Sequence, residues 1–226
     1  MTHILITGAT RGIGAACRTA LADQSIVGTG SGDGDLADPE TPAKLWDKAL
    51  ETLGGRIDVL INNAGIFEAS PIDADHAEWL AAWERTMQVN LTASAQLCRL
   101  AVRHFQVKGG GRIVNVASRA AYRGDSPAHW HYAASKAGMV AMTKTIARGY
   151  AREGILAFAV CPGFTMTGMA DDYLASRGGD KLLADIPLGK VADPEEVASA
   201  VRYLALDAPP SMTGAVIDIN GASYVR

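Results

Sequence analysis

The chain has 226 residues, 48% of them apolar and 20% charged, which is enough to bury one core of ordinary size and typical of a water-soluble globular protein. A formal charge of -3 with no Lys/Arg cluster leaves no electrostatic footprint for nucleic acid. No run approaches the roughly 18 apolar residues of a membrane-spanning helix. Cys17, Cys98 and Cys161 are odd in number and widely scattered, and read as buried thiols rather than a disulfide framework. HILIT near the start is followed by glycines and Arg11, with neither a basic leader nor a cleavage-like stretch. The expectation is one cytoplasmic domain over 1–226, with a small-molecule substrate and neither a nucleic-acid nor a membrane partner.

In chain order, His3 to Thr7 predicts a strand, Gly12 to Asp23 a helix and Ser25 to Thr29 a second strand. Pro42 to Leu53 predicts a helix, with Thr41 as N-cap and Pro42 in its first position. Further strands are predicted at Ile57 to Asn62, Arg112 to Ala117, Ile155 to Val160 and Ala215 to Ile219. Helical stretches lie at His76 to Lys108, His131 to Arg152 and Pro194 to Leu206, the first bending near Arg85 to Asn90. Strands such as DVLI and ILAFAV are apolar throughout instead of alternating, which fits parallel strands covered on both faces. The fold class is α/β, a Rossmann-type doubly wound, mostly parallel sheet. Only SGDGDLADPE separates the second strand from the next helix. A parallel crossover needs a dozen or more residues, so this shortened second-to-third strand region is predicted as a Gly-rich loop or a very short strand.

The first strand runs straight into TGATRGIG. Gly8, Gly12 and Gly14 permit a tight turn and close helix–sheet packing. Thr10, Arg11 and Ile13 stand among them, and the free N–H groups of the helix start face a dinucleotide pyrophosphate. The spacing is G-x-x-x-G-x-G and not G-x-G-x-x-G, so glycine spacing alone is a moderate signal. The strand IDVLINNAG ends in Asn62, Asn63, Ala64 and Gly65, amides to hold the sheet's carboxyl edge and small residues to admit a flat group. At the second-strand tip, Gly28-Thr29-Gly30-Ser31 offers no acid for the adenosine ribose. Arg11 suits a 2′-phosphate, whereas Asp33 or Asp35 can fold back to the ribose or adenine, and Ser31, Asp35 and Leu36 complete the candidate contacts. The choice between NAD and NADP stays open.

Tyr132 and Lys136 in YAASK lie one turn apart on a predicted helix. A phenol is a poor acid/base near neutrality, with a reference pKa of about 10. A neighbouring ammonium lowers that value and makes Tyr132 competent to exchange the alcohol proton. Lys136 can also bridge to the nicotinamide ribose. Ser118, just past the strand RIVNVA, can hold the substrate oxygen at the same edge. Asn90, an unfavourable helix-interior residue, is placed to kink its helix and to hold a relaying water, or simply to bend the chain.

Together, TGATRGIG at 7–14, NNAG at 62–65, Asn90, Ser118, YAASK at 132–136 and PG at 162–163 resemble the short-chain dehydrogenase/reductase family across nearly the whole chain. The resemblance implies a Rossmann-type fold and a Ser118/Tyr132/Lys136 catalytic triad extended by Asn90. It also implies NAD or NADP acting with an alcohol/carbonyl pair, commonly in a homotetramer; sequence leaves dimer and tetramer open. It further places Pro162, Gly163 and Thr165 near the nicotinamide. Two features depart from the family pattern: the short region after the second strand, and thirteen residues between Ser118 and Tyr132, one more than is common.

The most individual stretch is SRAAYRGDSPAHWHYAASK. Arg119, Arg123, His129 and His131 gather near Tyr132, able to bind a carboxylate while Trp130 or Tyr122 packs on its carbon skeleton. The same groups can equally anchor the loop or a subunit contact. His129 and His131 have no carboxylate or thiolate partners at metal-ligand spacing, so no metal is expected. A segment at about 165–190 reads as substrate-closing. The function expected is hydride transfer on a small polar or anionic hydroxy/keto compound. The alternatives are a 3-oxoacyl-thioester reductase and a non-catalytic cofactor-binding regulatory or scaffold protein.

Overall fold

A computed structural model of the chain describes residues 1–167 and 183–226. Six short apolar runs form its strands: β1 (His3–Ile6), β2 (Ser25–Gly28), β3 (Val59–Asn62), β4 (Gly111–Val116), β5 (Ile155–Pro162) and β6 (Val216–Ile219). They pair in parallel throughout, in the order β2-β1-β3-β4-β5-β6. The connecting helices are α1 (Gly12–Ala20), α2 (Thr41–Thr52), α3 (His76–Met87), α4 (Ala93–Lys108), the short α5 (Ala120–Arg123), α6 (Trp130–Tyr150) and α7 (Pro194–Leu206).

Alternate strand residues point to opposite faces, and both faces are dry. Ile4, Ile6, Ile61, Val114, Phe158 and Val160 pack with Cys17 from α1, Leu21 just after it, and Val197, Val201 and Leu204 from α7. Leu5, Leu60, Ile113 and Ala157 pack against Trp46, Leu97, Phe105 and Ile146 from α2, α4 and α6. This two-sided burial is why β3 and β5 are apolar at every position but the amide Asn62 at the end of β3. All three cysteines are free and buried. No helix among the described residues is long and apolar enough to cross a membrane.

The predicted elements are found with shifted ends. The α2 helix starts at Thr41, not after it. Glu40 takes the N-cap position, and the Thr41 hydroxyl donates to Asp38 Oδ2 at 3.3 Å instead of capping. The long predicted helix 76–108 is broken by one π-helical turn, Gln88–Thr92, centred on Asn90. Between β2 and α2 the residues form turns without a strand, so β2 is the sheet edge and α2 crosses directly to β3. Of the 165–190 segment, 168–182 lies outside the described residues; Met166 N donates to Ala192 O at 2.8 Å near its base.

The sheet and the helix that carries Tyr132 are joined by a buried polar chain. Asn62 Nδ2 donates to Asn115 Oδ1 (2.9 Å), Asn115 Nδ2 to Thr143 Oγ1 (2.8 Å), and Thr143 Oγ1 to Met139 O on α6 (2.8 Å). Asn62, Asn115 and Thr143 are each 0% exposed, so a broken link strands a dry donor. Asn115→Ala is therefore expected to lower the unfolding free energy by about 2–4 kcal/mol, read by chemical denaturation.

Candidate active site

Strand order reverses between β1 and β3, and open α/β sheets bind ligands at such a switch point, outside the strand carboxyl ends. Here the chain leaves β1 through Gly8 at φ +65, a left-handed conformation suited to glycine. A Cβ on Gly14 would lie 2.0 Å from Gly8 O, so the first turn of α1 touches the turn that precedes it. Asn63 stitches the corner: its Nδ2 donates to Thr7 O (3.1 Å) and Gly8 O (2.9 Å), while Thr7 Oγ1 accepts from Asn63 N and Ala64 N, both at 3.1 Å. The α1 N-terminus has Arg11 in its N-cap position, with no side-chain cap and no acid in the first turn. Uncapped N–H groups in a glycine-walled corner fit a dinucleotide pyrophosphate.

The predicted adenosine contacts separate. Ser31 is exposed. Asp35 pairs with Arg85 at 3.6 Å and accepts from Ala37 N at 2.9 Å, and Leu36 O accepts from Gln88 Nε2 at 3.4 Å. Thr10 packs on Gly30, whose Cβ would meet Thr10 Cγ2 at 2.5 Å. Arg11 is exposed beside them.

At the other end of the edge, Ser118, Tyr132, Lys136 and Asn90 converge. Ser118 faces the Tyr132 hydroxyl closely enough to oppose the rise of its pKa, and Ser118 Oγ accepts from Ala120 N at 3.1 Å. Lys136 Nζ donates to Val116 O at 2.9 Å and lies 5.8 Å from the Tyr132 ring centroid. A Cβ on Gly65 would sit 3.4 Å from Lys136 Nζ and 3.3 Å from Asn90 Oδ1, so these groups share one corner. The π-helical turn aims Asn90 at the loop after β3. Its Oδ1 accepts from Ile66 N (2.8 Å), and its Nδ2 donates to Ile66 O (3.0 Å) and Ser135 Oγ (3.2 Å). Pro162 ends β5; Gly163 and Thr165 follow, Gly163 N donating to Ile219 O at 2.9 Å and Thr165 Oγ1 to Gly163 O at 3.3 Å.

Protonation departs from the phenolate expectation. Burial pushes the Tyr132 phenol up to about 12, against the opposing hydrogen bond from Ser118. Burial also brings the Lys136 ammonium down to about 8. Both shifts run toward the neutral forms, yet near neutral pH Lys136 stays mainly an ammonium and the phenol stays protonated, so Lys136 alone does not ionise it.

On the substrate side, Phe67 fills a position that sequence reasoning passed over. Its ring stands edge-on to Tyr132 at 4.7 Å and stacks on His129 at 3.9 Å. His129 is bonded to Ser126 Oγ at 2.7 Å, and burial lowers its pKa, so it offers an aromatic face and not a charge. His131 is 2% exposed, with Nδ1 facing Tyr132 N at 2.9 Å. Trp130 is half exposed, edge-on to Trp79, which stacks on Trp83. Arg123 is spent on Asp185 Oδ2 (2.7 Å) and Ser223 O (3.1 Å). Arg119 is buried, its guanidinium 4.7 Å over the Phe164 ring, and its Nη1 lies 3.5 Å from Asp185 Oδ2 with no hydrogen bond among the described residues. Thr7 opens the TGATRGIG motif at 7–14, and Phe67 stands two residues beyond NNAG, where only its position signals a role.

Comparison with known proteins agrees with this geometry. A family model described as enoyl-(acyl carrier protein) reductase matches residues 16–222. A cis-4-hydroxycyclohexanecarboxylate dehydrogenase of Sinomonas cyclohexanicum is 35% identical over 243 residues, covering 96% of this chain and 94% of that protein. A 3-oxoacyl-(acyl-carrier-protein) reductase FabG of Vibrio cholerae is 33% identical over 241 residues, covering 98% and 96%. An acetoacetyl-CoA reductase of Rhizobium meliloti is 31% identical over 238 residues, covering 97% of each chain. The chain belongs to the short-chain dehydrogenase/reductase family. It is an NAD(P)-dependent oxidoreductase for a secondary alcohol/carbonyl pair, which sets aside the non-catalytic alternative.

The Lys136 shift has a measurable sign. Its folded pKa of about 8 lies below the ordinary 10.5, so between those values the unfolded chain holds the extra proton and stability rises with pH. Relative to Lys136→Met, the wild-type protein is expected to gain up to about 3 kcal/mol from pH 8 to 10.5 and nothing below pH 8. Paired denaturation curves across that range read the difference.

Proposed function

We propose that Tyr132 is the acid/base, Ser118 the oxygen-holding partner, and Lys136 and Asn90 the groups that tune and supply protons, acting on a small hydroxy/keto acid. The bound nicotinamide would supply or accept the hydride at the alcohol carbon. In the reducing direction the Tyr132 O–H protonates the carbonyl oxygen as it gains charge, and the Ser118 hydroxyl donates to that oxygen. Lys136, with Asn90 at the same corner, then returns a proton toward the phenolate, and oxidation reverses each transfer. Tyr132→Phe is expected to cut turnover about 10²–10⁴-fold while leaving NAD(P)H affinity near wild type, measured by steady-state kinetics and cofactor titration.

One observation carries the acid assignment. Arg119 directly follows Ser118, is buried, and its Nη1, 3.5 Å from Asp185 Oδ2, has no hydrogen bond among the described residues. Such a donor suits a carboxylate, with the aromatic wall of Phe67 and His129 packing on the carbon skeleton. The carboxylate named for the Sinomonas cyclohexanicum relative supports the same class. Arg119→Met is expected to raise KM for a keto acid at least about ten-fold and to leave its neutral ester unaffected. Equal loss on both would assign Arg119 to structure alone. The second reading, a 3-oxoacyl thioester, is supported by the names of the reductase relatives and predicts turnover of acetoacetyl thioesters over small acids. A cytoplasmic homo-oligomer, dimer or tetramer, completes the proposal and is read by sedimentation.

A further inference from the structure

We propose that Asp33, reaching back from the shortened loop after β2, selects NAD(H) over NADP(H). The inference rests on the nicotinamide-dinucleotide site and is independent of the substrate assignment. In doubly wound sheets an acid at the second-strand tip accepts from the adenosine ribose hydroxyls, and its charge opposes a 2′-phosphate. At the tip of β2 the residues Gly28-Thr29-Gly30-Ser31 supply no acid. The fold brings one back from three residues beyond Gly30. Asp33 Oδ2 accepts from Gly30 N at 3.0 Å, and Oδ1 faces Lys48 Nζ at 3.3 Å.

That carboxylate sits where the ribose must pass. Thr29 N donates to Ile6 O at 2.9 Å, and Ala9 N donates to Thr29 O at 2.8 Å, so the β2 tip is bonded to the turn leaving β1. Gly30 abuts Thr10 closely enough that a Cβ there would meet Thr10 Cγ2 at 2.5 Å. Asp33 is thereby fixed beside Thr10-Arg11-Gly12, on the way from a pyrophosphate at the α1 N-terminus to its adenosine. A carboxylate offers about four acceptor sites; Gly30 N–H and Lys48 use two, and the side chain stays 35% exposed. The Gly30 N–H, then Lys48, hold its pKa below the usual carboxylate range, so it is ionised at neutral pH. Asp35, the other acid of the loop, is turned to Arg85.

Arg11 pulls the other way, since a guanidinium favours a 2′-phosphate. It is exposed and has no partner among the described residues, so it must lose its rotamer freedom to act, whereas Asp33 is already held. Lys48 is 67% exposed, and a surface pair of this kind is weak.

The test is titration of NADH and NADPH into the purified protein without substrate, so cofactor choice is read apart from turnover. The wild type is expected to bind NADH at least about ten-fold tighter. Asp33→Asn keeps an oxygen for the Gly30 N–H but loses the charge. It is expected to shrink the NADPH/NADH Kd ratio at least about ten-fold with an unchanged thermal melt, while Lys48→Met holds the ratio within about three-fold. A wild-type preference for NADPH, or a ratio unmoved by Asp33→Asn, overturns the proposal. So does a ratio that responds to Arg11→Ala and not to Asp33→Asn.

Discussion

The site depends on one close approach between main-chain segments. The first turn of α1 lies against the turn leaving β1, with no room at position 14 for any side chain. Asn63 and Thr7 then bind the end of β3 to that same turn. Three elements become one rigid corner at the place where the sheet changes winding direction. Everything that must be held in register across the edge, from the α1 N-terminus to Tyr132, is positioned from it. A dinucleotide is long, and hydride transfer tolerates little misplacement, so the precision has to come from backbone packing and not from mobile side chains.

Burial is the second governing term. Tyr132 is half-buried and Lys136 buried, and desolvation shifts each toward its neutral form: the phenol up to about 12, the ammonium down to about 8. Desolvation is the leading cause of both shifts, and Lys136 Nζ, 5.8 Å from the ring centroid, is already bonded to Val116 O. Asn90 meets its corner only because one π-helical turn interrupts an otherwise continuous helical stretch.

The short stretch between β2 and α2 holds turns and no strand. The loop is tied down by side chains from other helices: Gln88 to Leu36 O, Gln96 to Pro39 O, Arg85 to Asp35 and Lys48 to Asp33. A loop with few apolar residues is ordered by polar ties to α2, α3, the π turn and α4. Its acids acquire distinct roles by which tie each one makes.

The sequence by itself determined the doubly wound parallel class, the place of each described strand, the bend near Asn90 and the four residues, Asn90, Ser118, Tyr132 and Lys136, that meet at one corner. Local signals carry all of these: unbroken apolar runs, glycines at a turn, and a Tyr/Lys pair one helical turn apart. Element ends moved by one to three residues, as at Thr41 and at the end of α1. Tertiary structure alone decided what surrounds each side chain. Nothing local to His129 says that it stacks on Phe67, or to Arg119 that its guanidinium is buried over Phe164. The same holds for the direction of the Tyr132 and Lys136 shifts, and for Asp33 rather than Asp35 turning back to the β2 tip. Burial and partnership are properties of chain segments far apart in sequence, and electrostatics follows burial.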